Sequence, residues 1–306
     1  MGRLVLAGGT GILGQLLIPS FLEKGYEIVV LTRQVQCISK HENVKYVYWD
    51  GRQSGEWTNY LDGADVLINL SGERIDRRFT KKNRFLLEKS RIEPTLALGE
   101  AISRLSEPPD IWINFSGVSI FAGVSIISDE YSHSYGHGFL ADLTKKWEEA
   151  FAVYDTPKTS KIILRISPVL TERGGLFASL YPLAKWGLAG TVGSGKQYVS
   201  WIHQEDFVRL LHWLIGGEKK QDIYHACAPG VISNQQLMQE LRNASGVKVG
   251  LPLSTVFAKI GAYLQGIDPS LLLETTPVVS TRLVEEGFQF KYPHIAGALN
   301  QLVSWI

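Results

Sequence analysis

Short apolar runs recur through the first half of the chain. They are Leu4–Ala7, Ile28–Leu31, Val44–Trp49, Val66–Asn69, Ile111–Phe115 and Ile162–Ile166. Runs this short, with little polar alternation, predict strands buried on both faces. Between them, apolar residues recur at helical spacing. Leu16, Leu17, Phe21 and Leu22 mark a first helix, which Gly25 stops. A long helix is predicted from Lys81 to Leu105, with Pro94 expected to break or kink it. Another is predicted from Phe139 to Val153. Strands alternating with helices imply a parallel sheet covered on both faces. Right-handed crossovers make a Rossmann-type doubly wound α/β fold the simplest topology.

Past Thr171 the alternation fades. Gly-rich loops give way to helices at about Glu205–Ile215, Asn234–Ala244, Val256–Leu264 and Ile295–Val303. Ser233 and Gln236 form a capping box ahead of the second of these. The expected division is a dinucleotide-binding domain over residues 1–170 and a smaller mixed substrate lobe over 171–306, some of whose segments return to the sheet.

Composition narrows the function. The 306 residues hold 31 Lys+Arg against 30 Asp+Glu, a net charge of +1. That balance argues against a nucleic-acid partner, which calls for a basic excess. Cys37 and Cys227 have neither metal-ligand spacing nor the number for a disulfide framework, so a reducing compartment is expected. The opening residues do not fit a signal peptide. No apolar run reaches the roughly 20 residues of a membrane span. The expectation is a cytoplasmic protein with no membrane partner and a small-molecule ligand.

The strongest chemical signal is the run Gly8-Gly9-Thr10-Gly11-Ile12-Leu13-Gly14. It follows the first strand and opens the first helix, which is the context a dinucleotide fingerprint requires. Gly8 allows the tight turn, Gly11 the approach of backbone N–H groups to a pyrophosphate, and Gly14 close packing of helix on strand. Thr10, Ile12 and Leu13 complete the cradle at the helix N-terminus. An NAD site places an acid after the second strand; here Thr32-Arg33 stand there. Arg33 suits a 2′-phosphate, so NADP is favoured over NAD. Asp50 is either an acceptor for the adenine amino group or a turn residue ahead of Gly51. Leu70 and Ser71 follow the fourth strand, where small residues admit the cofactor or simply make a turn.

The glycine loop, Asn69-Leu70-Ser71-Gly72-Glu73 and Ser90-Arg91 together resemble the extended short-chain dehydrogenase/reductases. The chain is more closely similar to their epimerase-family subgroup, which is akin to nucleotide-sugar epimerases. Arg77-Arg78-Phe79, Lys146-Trp147-Glu148, Gly193–Gln197, Trp201-Ile202-His203 and the stretch from Leu251 with Pro277, Arg282 and Gly287-Phe288 add to the likeness. The resemblance implies an NADP-binding domain with a C-terminal substrate lobe. It implies cofactor contacts at Thr32, Arg33, Leu70, Ser71 and Arg91, and near Val169.

Catalytic members of that superfamily pair Tyr with Lys four residues on, so that Lys lowers the phenol pKa while hydride moves. The helix that should carry the pair offers Phe139 or Leu140 and Leu143 or Thr144 instead. Tyr154 and Lys158 have the spacing but enclose Pro157; Tyr181 and Lys185 lie past the sixth strand. The remaining catalytic candidates are Ser116 as a hydrogen-bonder to a substrate oxygen, Tyr135 (with Tyr131) as a displaced phenol, and His203 near the cleft. Gly136 and Gly138 argue against His133 and His137 as metal ligands, and no metal is expected. Gly193–Lys196 either closes over a phosphate or is a plain turn. Trp186, Tyr198 and Trp201 either stack on a ring or fill the lobe core. The expected function is an NADP-dependent oxidoreductase or epimerase-like protein acting on a small polar substrate, a nucleotide sugar being one candidate. The alternative is a non-catalytic NADP-binding sensor. A homodimer through the long helices is expected by analogy.

Overall fold

The computed structural model describes residues 2–35, 41–217 and 222–305. Cys37 lies outside them. Seven parallel strands form the central sheet in the order β10-β6-β5-β4-β1-β2-β3. They are β1 (Arg3–Ala7), β2 (Glu27–Thr32), β3 (Val44–Tyr48), β4 (Val66–Asn69), β5 (Ile111–Gly117), β6 (Ser160–Ile166) and β10 (Ile223–Ala226). Alternate side chains of each strand serve opposite faces. Leu4, Leu6, Ile28, Val30, Val66 and Ile68 pack with α1 (Ile12–Glu23) and α5 (Gln204–Gly216). Val5, Ala7, Val29, Leu31 and Leu67 pack with α2 (Lys81–Arg104) and with Phe151 of α3 (Phe139–Ala152). Both faces are therefore covered at the centre of the sheet, which is why β1, β2 and β4 read as apolar runs, whereas the edge strand β3, expected to be buried, leaves Lys45 and Tyr48 exposed.

Two helices differ from the sequence expectation. Pro94 lies inside an uninterrupted α2. Its ring packs beneath Gly51, whose φ of +85° only glycine takes easily, and the neighbouring Thr95 hydroxyl donates to the Arg91 carbonyl. Packing thus offsets the lost helical bond. A helix α4 (Gly175–Lys185) also forms where the Gly-rich stretch suggested loop.

Residues after 171 build a second core from Phe177, Tyr181, Trp201, Leu237, Met238, Leu241 and Leu299. These residues come from α4, α6 (Asn234–Ala244), α10 (Ile295–Ser304) and the loops between them. Ser233 and Gln236 make the expected capping box on α6. Two small sheets form here, the first joining this region to the strand after β6 and the second lying within it. β7 (Val169–Leu170) pairs with β9 (Ile202–His203), and β8 (Tyr198–Val199) with β11 (Ile232–Ser233). The helices α7 (Thr255–Leu264), α8 (Ser270–Leu273) and α9 (Thr281–Glu285) complete the chain. No helix among the described residues is long and apolar enough to cross a membrane.

Buried Glu130 bolts the edge strand β10 in place. Its carboxylate accepts from the His225 N–H, the Ser280 hydroxyl and the Thr281 and Arg282 N–H groups. The last two are orphan donors at the start of α9, so a carboxylate there also opposes the helix dipole. Glu130→Ala strands these donors, and it is expected to lower unfolding stability by about 3 kcal/mol in a denaturant titration.

Candidate active site

The site forms at the carboxyl ends of the strands, where β1 lies between β2 and β4 and the winding direction reverses. Gly8 leaves β1 with φ +76°, and a Cβ on it would sit 3.0 Å from the Ser71 backbone. At Gly14 a Cβ would lie 2.0 Å from the Gly9 carbonyl oxygen, so only hydrogen lets α1 approach the loop. Gly11 is different. As the N-cap of α1 it supplies no side-chain bond, the first turn holds no acid, and a Cβ there would meet nothing within 4 Å. By contrast, Thr80, His203, Ser233, Ser254 and Ser280 cap α2, α5, α6, α7 and α9 with side chains. The first N–H groups of α1 therefore face open space with their partial positive charge. Thr10 is exposed at the turn. Ile12 abuts Gly174 at the start of α4, and Leu13 packs on the sheet core, as buried Val169 does after β6.

On the β2 side, the Thr32 hydroxyl accepts the Gln34 N–H. Arg33 is exposed, with Nη2 3.1 Å from Glu73 Oε1. Glu73 also pairs with Arg77, and the Arg33 bond foremost holds its carboxyl below the usual range. Asp50 Oδ1 accepts the Gln53 and Arg52 N–H groups, which lower its pKa and make that oxygen part of the turn. On the β4 side, the Leu70 N–H pairs with the Ala7 carbonyl, and the Ser71 N–H with buried Asn69 Oδ1. Arg91 lies largely buried under this loop. It donates to the Leu87 and Glu73 carbonyls and stacks over Trp147. Burial pulls its guanidinium down to about 10, which still leaves it charged at neutral pH. Arg91 thus braces the loop through Glu73 and Gly72.

A second polar group sits at the ends of β5, β6 and β10. Ser116, Arg165 and His225 are lateral neighbours across these strands. The Ser116 hydroxyl donates to Glu148 Oε1 at 2.6 Å, and Arg165 grips the same carboxylate with two bonds of 2.8 Å. The Arg165 side chain is 1% exposed and lies against the contacting rings of Phe121 and Tyr135, at 5.4 and 5.5 Å. Burial opposes its charge, but Glu148 outweighs this and holds the Arg165 pKa above its ordinary value. Burial also lowers the pKa of His225, and the adjacent Arg165 adds to that. Its Nδ1 lies 3.0 Å from the Val279 carbonyl and so carries the proton, leaving Nε2 to face Arg165. The Glu148–Arg165 pair was not anticipated. Its signal was a charged residue inside the apolar run Ile162–Ile166, since a buried Arg needs a partner.

Three sequence candidates take other roles. His203 is fully buried: Nδ1 accepts the Glu205 N–H as the cap of α5, and Nε2 bonds Gln301 at 2.7 Å. Both nitrogens are committed and burial lowers its pKa, so it is a neutral helix cap rather than a catalytic group. Tyr131 donates to Glu285. Gly193 and Gly195 both take positive φ in a tight turn closed by the Gly195 N–H to the Val192 carbonyl. Leu140 and Thr144 stand on α3 near the places of the sought Tyr and Lys; both are buried, and Thr144 bonds Ser119. Trp201 belongs to the lobe core, whereas Trp186 is 82% exposed. Depressions of about 310 and 360 Å³ beside Asp65 and Asp110 lie at the amino ends of the strands, away from all these groups.

Residues 4–138 match the NAD dependent epimerase/dehydratase family, and residues 262–302 match a domain of unknown function, DUF1731. An epimerase family protein of Staphylococcus saprophyticus is 29% identical over 305 residues, covering 99% of this chain and all of the relative. The human epimerase family protein SDR39U1 is 27% identical over 306 residues, covering 99% of this chain and all of that protein. A crystal structure of human SDR39U1 (isoform 2) with NADPH superimposes with a TM-score of 0.87 at 25% identity, covering 99% of this chain and 100% of that one. The UDP-N-acetylglucosamine 4-epimerase of Bacillus cereus shares the fold, with a TM-score of 0.76 at 16% identity over 100% and 99% of the two chains.

The glycines separate structure from binding. Gly14→Ala is expected to cost about 3 kcal/mol, because the loop must move to admit a methyl group. Gly11→Ala should stay within about 1 kcal/mol of the parent. Denaturant unfolding of the two variants measures the contrast.

Proposed function

We propose that this chain, which belongs to the extended short-chain dehydrogenase/reductases of the epimerase type, binds NADPH at the β1–α1 loop and acts on a small polar substrate beside Ser116. The carrying observation is the uncapped N-terminus of α1, with open space before Gly11 and Arg33 at the end of β2. The free N–H groups suit a pyrophosphate, and Arg33 suits a 2′-phosphate. The NADPH in the human SDR39U1 structure supports the same assignment. A nucleotide sugar is the substrate class favoured by the fold shared with the sugar epimerase.

A bound nicotinamide supplies or accepts the hydride. The chain's own residues orient the partner. The Ser116 proton is committed to Glu148, so its oxygen is left to accept a hydrogen bond from a substrate hydroxyl. Arg165 holds the Glu148 carboxylate with two bonds, which fixes the group that aims that oxygen. Tyr135, 42% exposed over Arg165, is the phenol available to exchange a proton at this floor. A second reading, an NADPH-binding protein without turnover, is favoured by Leu140 and Thr144 in the region of the usual Tyr and Lys.

Arg33→Asp is expected to weaken NADPH binding about tenfold or more while leaving NADH less affected, read by nicotinamide fluorescence. Equal loss of both would remove Arg33 from the 2′-phosphate. Gly11→Val should abolish binding of either dinucleotide, and unchanged affinity would contradict the loop assignment.

A further inference from the structure

The Arg33–Glu73 ion pair crosses the cofactor crevice. Arg33 follows β2 and Glu73 follows β4, and these strands flank β1 on opposite sides. A contact between them therefore spans the carboxyl end of β1, where the glycine loop turns. Glu73 Oε1 takes Arg33 Nη2 at 3.1 Å, and Oε2 takes Arg77 Nη2 at 3.2 Å. One carboxylate thus holds two guanidiniums. Its backbone is tied at both ends: the N–H donates to Ser90 Oγ, and the carbonyl accepts from Arg91. The loop keeps Glu73 in place, and only its side chain is free to yield.

A 2′-phosphate and the Glu73 carboxylate compete for the same donors of Arg33. Held close together they also repel. A ribose 2′-hydroxyl makes the opposite demand, since it donates and a carboxylate is a natural acceptor. We propose that Glu73 sets the nucleotide preference of this site, occupying Arg33 until a 2′-phosphate displaces it. The inference rests on the dinucleotide reading above. Arg77 makes the exchange feasible. When Arg33 turns to the phosphate, Glu73 keeps one cationic partner and is not left as an unpaired, three-quarters-buried charge. Glu73 therefore holds NADPH affinity below what Arg33 alone would give, and it narrows the gap between NADPH and NADH.

The test titrates the whole chain with NADPH and with NADH, read by nicotinamide fluorescence, in the parent, Glu73→Gln and Glu73→Asp. Gln keeps the shape and removes the charge. Asp keeps the charge but is one methylene too short to reach Arg33. Because the Arg33 side chain is 71% exposed, the pair is screened, and both variants are expected to tighten NADPH by only about three- to tenfold. Neither should tighten NADH. Thermal unfolding without ligand checks the fold, and Glu73→Asp carries the test should Glu73→Gln fail to fold. NADPH affinity unchanged or weaker in the folded variants, with the parent still preferring NADPH, overturns the role of Glu73 alone. A parent that binds neither dinucleotide overturns the dinucleotide reading and this inference together.

Discussion

The N-terminus of α1 organises this molecule. It stands at the reversal point of the sheet, its first N–H groups unanswered by any side-chain cap, while Gly14 presses the helix against the Gly9 carbonyl. A helix end in that state is a fixed partial positive charge with donors aimed outward. The surrounding chain keeps it open. Gly8 turns sharply because Ser71 leaves no room for a side chain, and Ser71 is itself held by buried Asn69. Asn69 in turn bonds Thr95 and Asn114, which ties the loop after β4 to α2 and β5. The binding edge is thus built from the core outward.

A second constraint lies at the other half of the same edge. Arg165 interrupts the apolar run Ile162–Ile166 of β6 and is held by Glu148, with the contacting rings of Phe121 and Tyr135 beside it. Breaking such a pair by removing one partner is costly, because it strands a buried charge. The pair fixes the Ser116 hydroxyl, and through His225 it reaches β10 and the Glu130 network. The C-terminal part of the chain thereby shapes this end of the sheet through an edge strand and its bonds, besides forming its own core.

Legibility in the sequence followed burial. Strands with both faces covered announced themselves as apolar runs, and the runs Leu4–Ala7 and Val66–Asn69 fall within β1 and on β4. The glycine loop was legible because strand, turn and helix follow one another without interruption. Strand β10 was not, because Ile223–Ala226 is short, contains His225, and becomes a strand only by pairing with β6. Helix α4 was hidden by Gly174, Gly175 and Pro182, which read as loop. Pro94 misled because its cost is met by tertiary packing that no local rule sees. His203 looked available beside a cleft, whereas the fold uses it to cap α5. Glu73 stood in a recognisable stretch, but its meaning depends on Arg33, 40 residues earlier and two strands away. Partnerships of this kind arise from topology, and sequence spacing does not reveal them.

The α1 N-terminus, as an anion site for a dinucleotide, carries the proposed function. The most direct measurement is residue-resolved amide hydrogen exchange of the whole chain with and without NADPH. Slowed exchange is expected at Ile12, Leu13 and Gly14 when NADPH is present, with no change at the start of α2, where Thr80 already caps the helix. Unaltered exchange at Ile12–Gly14 under conditions where NADPH binds would place the dinucleotide elsewhere and remove this role from the α1 N-terminus.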